Sequence, residues 1–204
     1  MWDFFMKKQN QHFGYYHVYN RGVDKRPIFL NDKDRVKFLG CMQELCLNNE
    51  IRHATILAYC LMDNHYHFLV EQTRENGLAK FMHRLGTSYT MYFNKSYKRK
   101  GSLFESRYKA TLIPEDRHLF HVFRYIHLNP IKFFKKAYIR EVDNIEKAIN
   151  FVYEYKWSNL KKAFSASKKS MHCDLLKNEF ITKDAYNGFL SDWIKYGKPG
   201  SAIQ

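Results

Sequence analysis

The sequence lacks any apolar stretch long enough to cross a bilayer. Its longest unbroken apolar run is Ile56 to Met62, seven residues, where a spanning helix needs about 20. The first residues, Met1-Trp2-Asp3-Phe4-Phe5-Met6-Lys7-Lys8, put apolar side chains before the charged ones. That is not the order of a secretory leader, so export is not expected. Cysteine is scarce as well: Cys41, Cys46, Cys60 and Cys173 form no CxxC pair and have no zinc-type spacing. They are expected to be reduced, packed thiols in a cytosolic protein. Acidic residues are also in short supply, with 20 Asp and Glu against 34 Lys and Arg, a net charge of +14. The excess is not confined to a tail. Residues 1–160 carry 26 basic and 16 acidic side chains, and residues 161–204 carry 8 and 4. A folded body this basic points to a polyanionic partner, most often nucleic acid.

What is present argues for a folded core. Apolar residues make up 45% of the 204 and aromatic residues 17%, which excludes wholesale disorder. The length suits one domain, or one domain with an appendage. Residues 13–20 (FGYYHVYN) read as a strand. Asn31 or Asp32 can cap a helix running through Val36, Leu39, Cys46 and Leu47. Residues 51–60 and 65–71 read as two strands joined by the Met62-Asp63-Asn64 turn, hence an antiparallel hairpin. After Gly77, Leu78, Phe81, Leu85, Tyr89 and Tyr92 recur at helical spacing. Residues 107–113 form a fourth strand, and Pro114-Glu115-Asp116 opens a third helix that must stop before Pro130. A further helix is expected at about 144–155.

This β-α-β-β-α-β order predicts an α+β, ferredoxin-like fold: an antiparallel sheet with two helices on one face, followed by another helix. Residues 1–160 are expected to form the main folded domain. Residues 161–170 (KKAFSASKKS) read as a basic linker, and 171–204 as a weakly helical extension.

Three groups of residues carry chemistry. His65 and His67 alternate with Tyr66 on a strand, so both imidazoles project from one face, close enough to hold one metal ion. Tyr125 and Asn129 are four residues apart at the end of the third helix and share a face, with His121 and His118 one and two turns earlier. The segment 95–109 holds Lys95, Lys98, Arg99, Lys100, Arg107 and Lys109 among Tyr97, Phe104 and Tyr108. Basic groups that neutralise phosphates, interleaved with rings that stack on bases, suit single-stranded nucleic acid. Arg21, Lys25, Arg26, Lys33, Arg35 and Lys37 form a second basic stretch able to line the same groove.

Four ordered motifs resemble the single-tyrosine HUH transposases, and most closely their REP-associated branch. They are Tyr16-His17-Val18-Tyr19-Asn20-Arg21-Gly22, Tyr59 to Leu69 (YCLMDNHYHFL), Gly101 to Ala110 (GSLFESRYKA) and Tyr125 to Pro130 (YIHLNP). The likeness runs from about residue 13 to Trp157-Ser158. It implies an enzyme that cleaves and joins single-stranded DNA beside hairpin or palindromic repeats. His65, His67 and Asn129 match the family's metal site, Tyr125 matches its nucleophile, and the implied cofactor is Mg²⁺ or Mn²⁺. Two positions depart from the family pattern: Asp63 replaces the common Pro, and Glu105 the usual Gln. Asp63 either reshapes the turn or adds charge near the metal. Arg21, Lys98, Arg99, Lys100, Arg107 and Lys109 are the expected DNA contacts.

These residue types suit the chemistry. A tyrosine that attacks a phosphodiester forms another phosphoester, so the strand can later be rejoined. His118, His121 and His127 are available for proton transfer. Two other readings remain open on sequence: a non-catalytic nucleic-acid-binding module of ferredoxin-like fold, and a metal-dependent phosphoesterase that uses water. A cytoplasmic, nucleoid-associated enzyme is expected, with a homodimer left open.

Overall fold

The computed structural model describes residues 13–47, 54–114, 116–137, 145–163, 179–180 and 182–196. The chain runs β1 (Gly14–Arg21), α1 (Asp32–Leu47), β2 (Ala54–Leu61), β3 (His65–Gln72), α2 (Gly77–Ser96), β4 (Lys109–Ile113) and α3 (Asp116–Leu128). It continues with α4 (Ile131–Ala137), α5 (Ile145–Glu154), α6 (Leu160–Ala163) and α7 (Lys183–Tyr196). The four strands form one antiparallel sheet in the order β2-β3-β1-β4. This is the ferredoxin-like core with extra C-terminal helices.

Strand alternation sorts the side chains into two layers. Tyr16, Val18, Tyr66, Phe68 and Val70 face α1 and α2, where Phe38, Leu78, Phe81, Leu85, Tyr89 and Phe93 complete a buried cluster. Phe38 meets the Tyr89 ring edge-on at 4.9 Å. On the opposite face, Leu57, Leu69 and Ile113 pack against Leu119, Val122, Phe123 and Ile126 of α3, with α5 and α7 behind. The expected pair of helices on one face is therefore α1 and α2, and the helix carrying Tyr125 lies across the other face.

Local chemistry explains the helix ends. Asn31 caps α1: its Oδ1 accepts the Asp34 N–H at 3.2 Å, while the Asp34 carboxylate accepts the N–H groups of Leu30 and Asn31 at 2.8 and 3.2 Å. This is a reciprocal capping box. The hydroxyls of Tyr92 and Tyr97 also donate to Asp34, which ties α2 to the start of α1. Pro130, which has no N–H to continue a helix, separates α3 from α4. Edge strand β2 is buried along its whole length because the chain beyond α5 covers it. Leu61 N–H donates to Trp157 O at 2.9 Å, and the Asn159 amide bridges Tyr59 N–H and Leu57 C=O at 2.8 and 3.0 Å. Covering an edge in this way blocks further strand addition.

Several boundaries differ from the sequence reading. β4 starts at Lys109 rather than residue 107, because the preceding segment folds back on the β1 end. Residues 160–163 form a helical turn whose Leu160 and Ala163 are buried, so the polar stretch after 160 begins inside the core. Residues 164–178, with Cys173, lie outside the described residues, as do 51–53 of the expected second strand. Cys41 and Cys60 are buried free thiols. Among the described residues no helix is long and apolar enough to cross a membrane.

Candidate active site

β1 and β3 bring their polar side chains together on the α3 side of the sheet. Register pairs Arg21 with His65, Tyr19 with His67 and His17 with Leu69. His65 and His67 lie on one face as their spacing requires, with ring centroids 5.1 Å apart. A third imidazole joins them: His17 Nε2 and His67 Nδ1 are hydrogen-bonded at 3.1 Å, and the two rings stack at 5.2 Å. His17 and His67 are both buried. The other His17 nitrogen, Nδ1, has no protein partner.

Tyr125 reaches this group from the last turn of α3. Its ring stands edge-on to His67 at 5.3 Å and to His17 at 5.5 Å, all within one chain. Asn129 follows one turn later. Its Nδ2 donates to the Tyr125 carbonyl at 3.0 Å, and its Oδ1 accepts from Lys132 Nζ at 3.1 Å. The bend at Pro130 is what places Lys132, in the first turn of α4, beside Asn129. His65, His67, Tyr125 and Asn129 are thus brought together, with His17, Tyr19 and Lys132 around them.

Electrostatics keep the imidazoles neutral. Burial lowers His17 and His65 to about 4, and the positive charges of Lys132 and Arg21 push His65 the same way. Burial, the other two imidazoles and Lys132 hold His67 well below the ordinary histidine range. Burial raises the Tyr125 phenol, and contact with the Asn129 amide partly offsets this. Burial also lowers the Lys132 ammonium.

His121 and His127 of the third helix serve other ends. His121 pairs with the Arg124 guanidinium at 2.7 Å and leans on Phe189, so it faces α7. Arg124 itself lies over the rings of Phe189 and Trp193, at 4.1 and 4.3 Å. His127 is fully buried, with Nδ1 on the Tyr186 hydroxyl at 2.8 Å and Nε2 on Asn159 Oδ1 at 3.3 Å. Tyr125 and Asn129 look into the site, and His121 does not. Helical spacing placed His121 on their face, but residues four apart are offset by about 40°, and α7 takes up that offset.

Two of the segments that carry basic residues lie side by side. Val23 N–H donates to Leu103 O, Glu105 N–H to Arg21 O, and Gly22 bridges Phe104, so segment 21–26 lies against segment 103–105. Arg21 sits at the β1 end beside His65, but its guanidinium is held by both oxygens of Glu105, at 3.0–3.3 Å. Lys109 extends over the Tyr19 ring at 5.8 Å, next to His67. Lys98 and Lys100 are exposed in the turn after α2, Arg99 lies on the Phe93 ring, and Arg107 is exposed. Asp63 is turned away from the histidines. Its carboxylate pairs with Arg35 at 2.5 Å, and its carbonyl accepts from Ile28 and Phe29. The charge of Asp63 is thus taken up by Arg35 rather than by the histidine pair.

His17 and Lys132 are the site residues that sequence reasoning missed. A signal existed for His17: it alternates with the core-facing Tyr16 and Val18, which puts it on the same face as Tyr19.

Fold and site together define an α+β protein with a histidine pair on its sheet and a tyrosine facing it from a helix. The chain belongs to the IS200-like transposase family, which it matches over residues 10–129. No curated protein matches it. Among solved structures it is similar to a REP-associated tyrosine transposase bound to a REP hairpin. The identity is 12% and the TM-score 0.54, over 74% of this chain and 81% of that one. A putative transposase of Deinococcus radiodurans is 14% identical with a TM-score of 0.41, over 56% of this chain and 89% of that one.

Proposed function

We propose that the protein is a divalent-metal-dependent endonuclease and strand transferase of the REP-associated branch, acting on single-stranded DNA beside hairpin repeats. Tyr125 is the nucleophile. Its Oη attacks the scissile phosphorus, the P–O3′ bond breaks, and the leaving oxygen takes up a proton to become a 3′-hydroxyl. The 5′ end remains as a phosphotyrosine, which a 3′-hydroxyl can later attack to rejoin a strand. The observation that carries this reading is the edge-on packing of Tyr125 against His67 and His17 of its own chain. The same contact supports use of Tyr125 with its own histidines rather than a second copy's.

The donor set suits a divalent ion. Among the described residues no group of three or more His, Cys, Asp or Glu could hold one; the set proposed is two imidazoles with an amide, His65, His67 and Asn129. His65 Nδ1 is engaged by Asn64 Oδ1 at 2.6 Å and His67 Nδ1 by His17. That leaves Nε2 of each as the nitrogen for a metal, and for His65 the Asn64 oxygen, which can only accept, keeps the ring proton on Nδ1. Their depressed pKa values keep both neutral, as ligation requires. Imidazole and amide together suit Mn²⁺, and Mg²⁺ where water and phosphate oxygens complete the shell. Such an ion supplies charge stabilisation at the phosphate.

Arg21, Lys98, Arg99, Lys100, Arg107 and Lys109 bind the DNA backbone in this reading. Lys109 and Arg21 are nearest the histidines, and the 98–100 turn meets the hairpin. The test is incubation of the chain with single-stranded DNA carrying a hairpin repeat, with Mn²⁺ or Mg²⁺, followed by a denaturing gel. A covalent adduct should form with the native chain and be absent without metal and in Tyr125→Phe. Cleavage that survives Tyr125→Phe would refute the proposal and favour attack by water.

A further inference from the structure

We propose that Lys132 is a resident cation that stands on Asn129 Oδ1 and must leave when a divalent ion enters. The inference rests on the reading of Asn129 as a ligand. Asn129 is 2% exposed and its amide orientation is fixed, because Nδ2 donates to the Tyr125 carbonyl. Oδ1 is therefore the end that can serve a cation, and the side chain has no other oxygen. Lys132 Nζ already occupies it at 3.1 Å.

Lys132 acts on the rest of the site too. Through that contact with Asn129 its positive charge lies near enough to the histidine pair to act on both His65 and His67. An ammonium and a divalent ion repel each other strongly at such separations, so they cannot share Oδ1. The residue as a whole is solvent-accessible, and its four-carbon stem lets the charge swing out without moving α4. The site thus keeps a positive charge in both states. Before loading, the ammonium satisfies Asn129 Oδ1; after loading, the same group is free to turn to a phosphate oxygen. Lys132 is in this account a positioning residue, acting through Asn129.

The experiment is a titration of the full-length chain with Mn²⁺, the free ion counted by electron paramagnetic resonance. Native chain, Lys132→Met, Lys132→Arg, His67→Ala and Asn129→Ala are compared. Lys132→Met keeps the length and removes the charge, and should bind Mn²⁺ roughly tenfold more tightly. Lys132→Arg should restore native-like affinity, a result that loss of packing alone would not give. Asn129→Ala and His67→Ala should weaken binding. Lys132→Met that binds no more tightly, while His67→Ala still weakens binding, would overturn the inference and leave the metal site standing. Affinity unchanged in both His67→Ala and Asn129→Ala would remove the metal site itself, and the inference with it. Lys132→Gln repeats the charge removal if Lys132→Met perturbs the far-ultraviolet circular dichroism spectrum.

Discussion

Replacing His127 with Leu should weaken the fold by about 2–4 kcal/mol at pH 7.5, and by distinctly less at pH 5. His127 lies two residues beyond Tyr125, on the side of α3 turned away from the site, and is fully buried. Asn159 fixes its tautomer. The Asn159 amide donates to Leu57 C=O through Nδ2 and accepts from Tyr59 N–H through Oδ1, so Oδ1 can only accept from His127 as well. His127 Nε2 therefore carries the proton, and Nδ1 accepts from the Tyr186 hydroxyl. One imidazole thus joins α3 to the β2 edge and to α7. Leu breaks both hydrogen bonds, and buried polar groups that lose a partner cost about 1–3 kcal/mol each.

The pH dependence separates this account from simple loss of packing. Burial lowers His127 from 6.5 to about 4. Between those values the unfolded chain binds more protons than the folded one, so stability falls as pH drops through that window. At pH 5 the loss through His127 alone is about 2 kcal/mol. The Leu variant lacks that component, while the other buried histidines titrate alike in both proteins. Urea unfolding followed by circular dichroism at the two pH values gives the difference directly. A destabilisation below about 0.5 kcal/mol at pH 7.5, or one that does not shrink at pH 5, would refute the reasoning.

Three further outcomes follow from the geometry. Gly22→Ala should cost about 1–3 kcal/mol in urea unfolding, because a Cβ there would stand 2.2 Å from Arg26 O and 2.9 Å from Ile28 Cγ2. Glu105→Gln should leave stability almost unchanged, since the Arg21–Glu105 pair is partly exposed at 41% and 29%. It should nonetheless steepen the salt dependence of single-strand binding by about 0.7 in log–log slope, as Arg21 becomes free to neutralise a phosphate. Reversing Lys98, Arg99 and Lys100 to Glu should lower hairpin affinity at least about tenfold at low salt, measured by fluorescence anisotropy; unchanged affinity would remove the 98–100 turn from the interface.

The parts of the site legible in the sequence are those set by local periodicity. His65 and His67 share a face because strands alternate, and Tyr125 and Asn129 share one because helices repeat near four. The parts that were not legible depend on pairing between distant segments. His17 meets His67 only through the β1–β3 register, across 50 residues of sequence. Lys132 reaches Asn129 only because the chain turns at Pro130 and restarts a helix at once. Asp63 and Glu105 stood out as departures in the motifs, but the groups that absorb their charges, Arg35 and Arg21, are 28 and 84 residues away. The ferredoxin-like order was readable because each element carries its own punctuation. The extent of α7, Lys183–Tyr196, was not, because its pattern is weak and its burial depends on Arg124 and His127 of α3.

The most direct test of the central claim is to find where DNA becomes attached. The chain is incubated with hairpin-bearing single-stranded DNA and Mn²⁺, the DNA is trimmed with nuclease, and the peptides are mapped by mass spectrometry. The account predicts a nucleotide adduct on the peptide containing Tyr125, fragmenting to place the phosphate on that phenol, and none when metal is withheld. An adduct on another tyrosine, or cleaved DNA with no adduct on any residue, would contradict it.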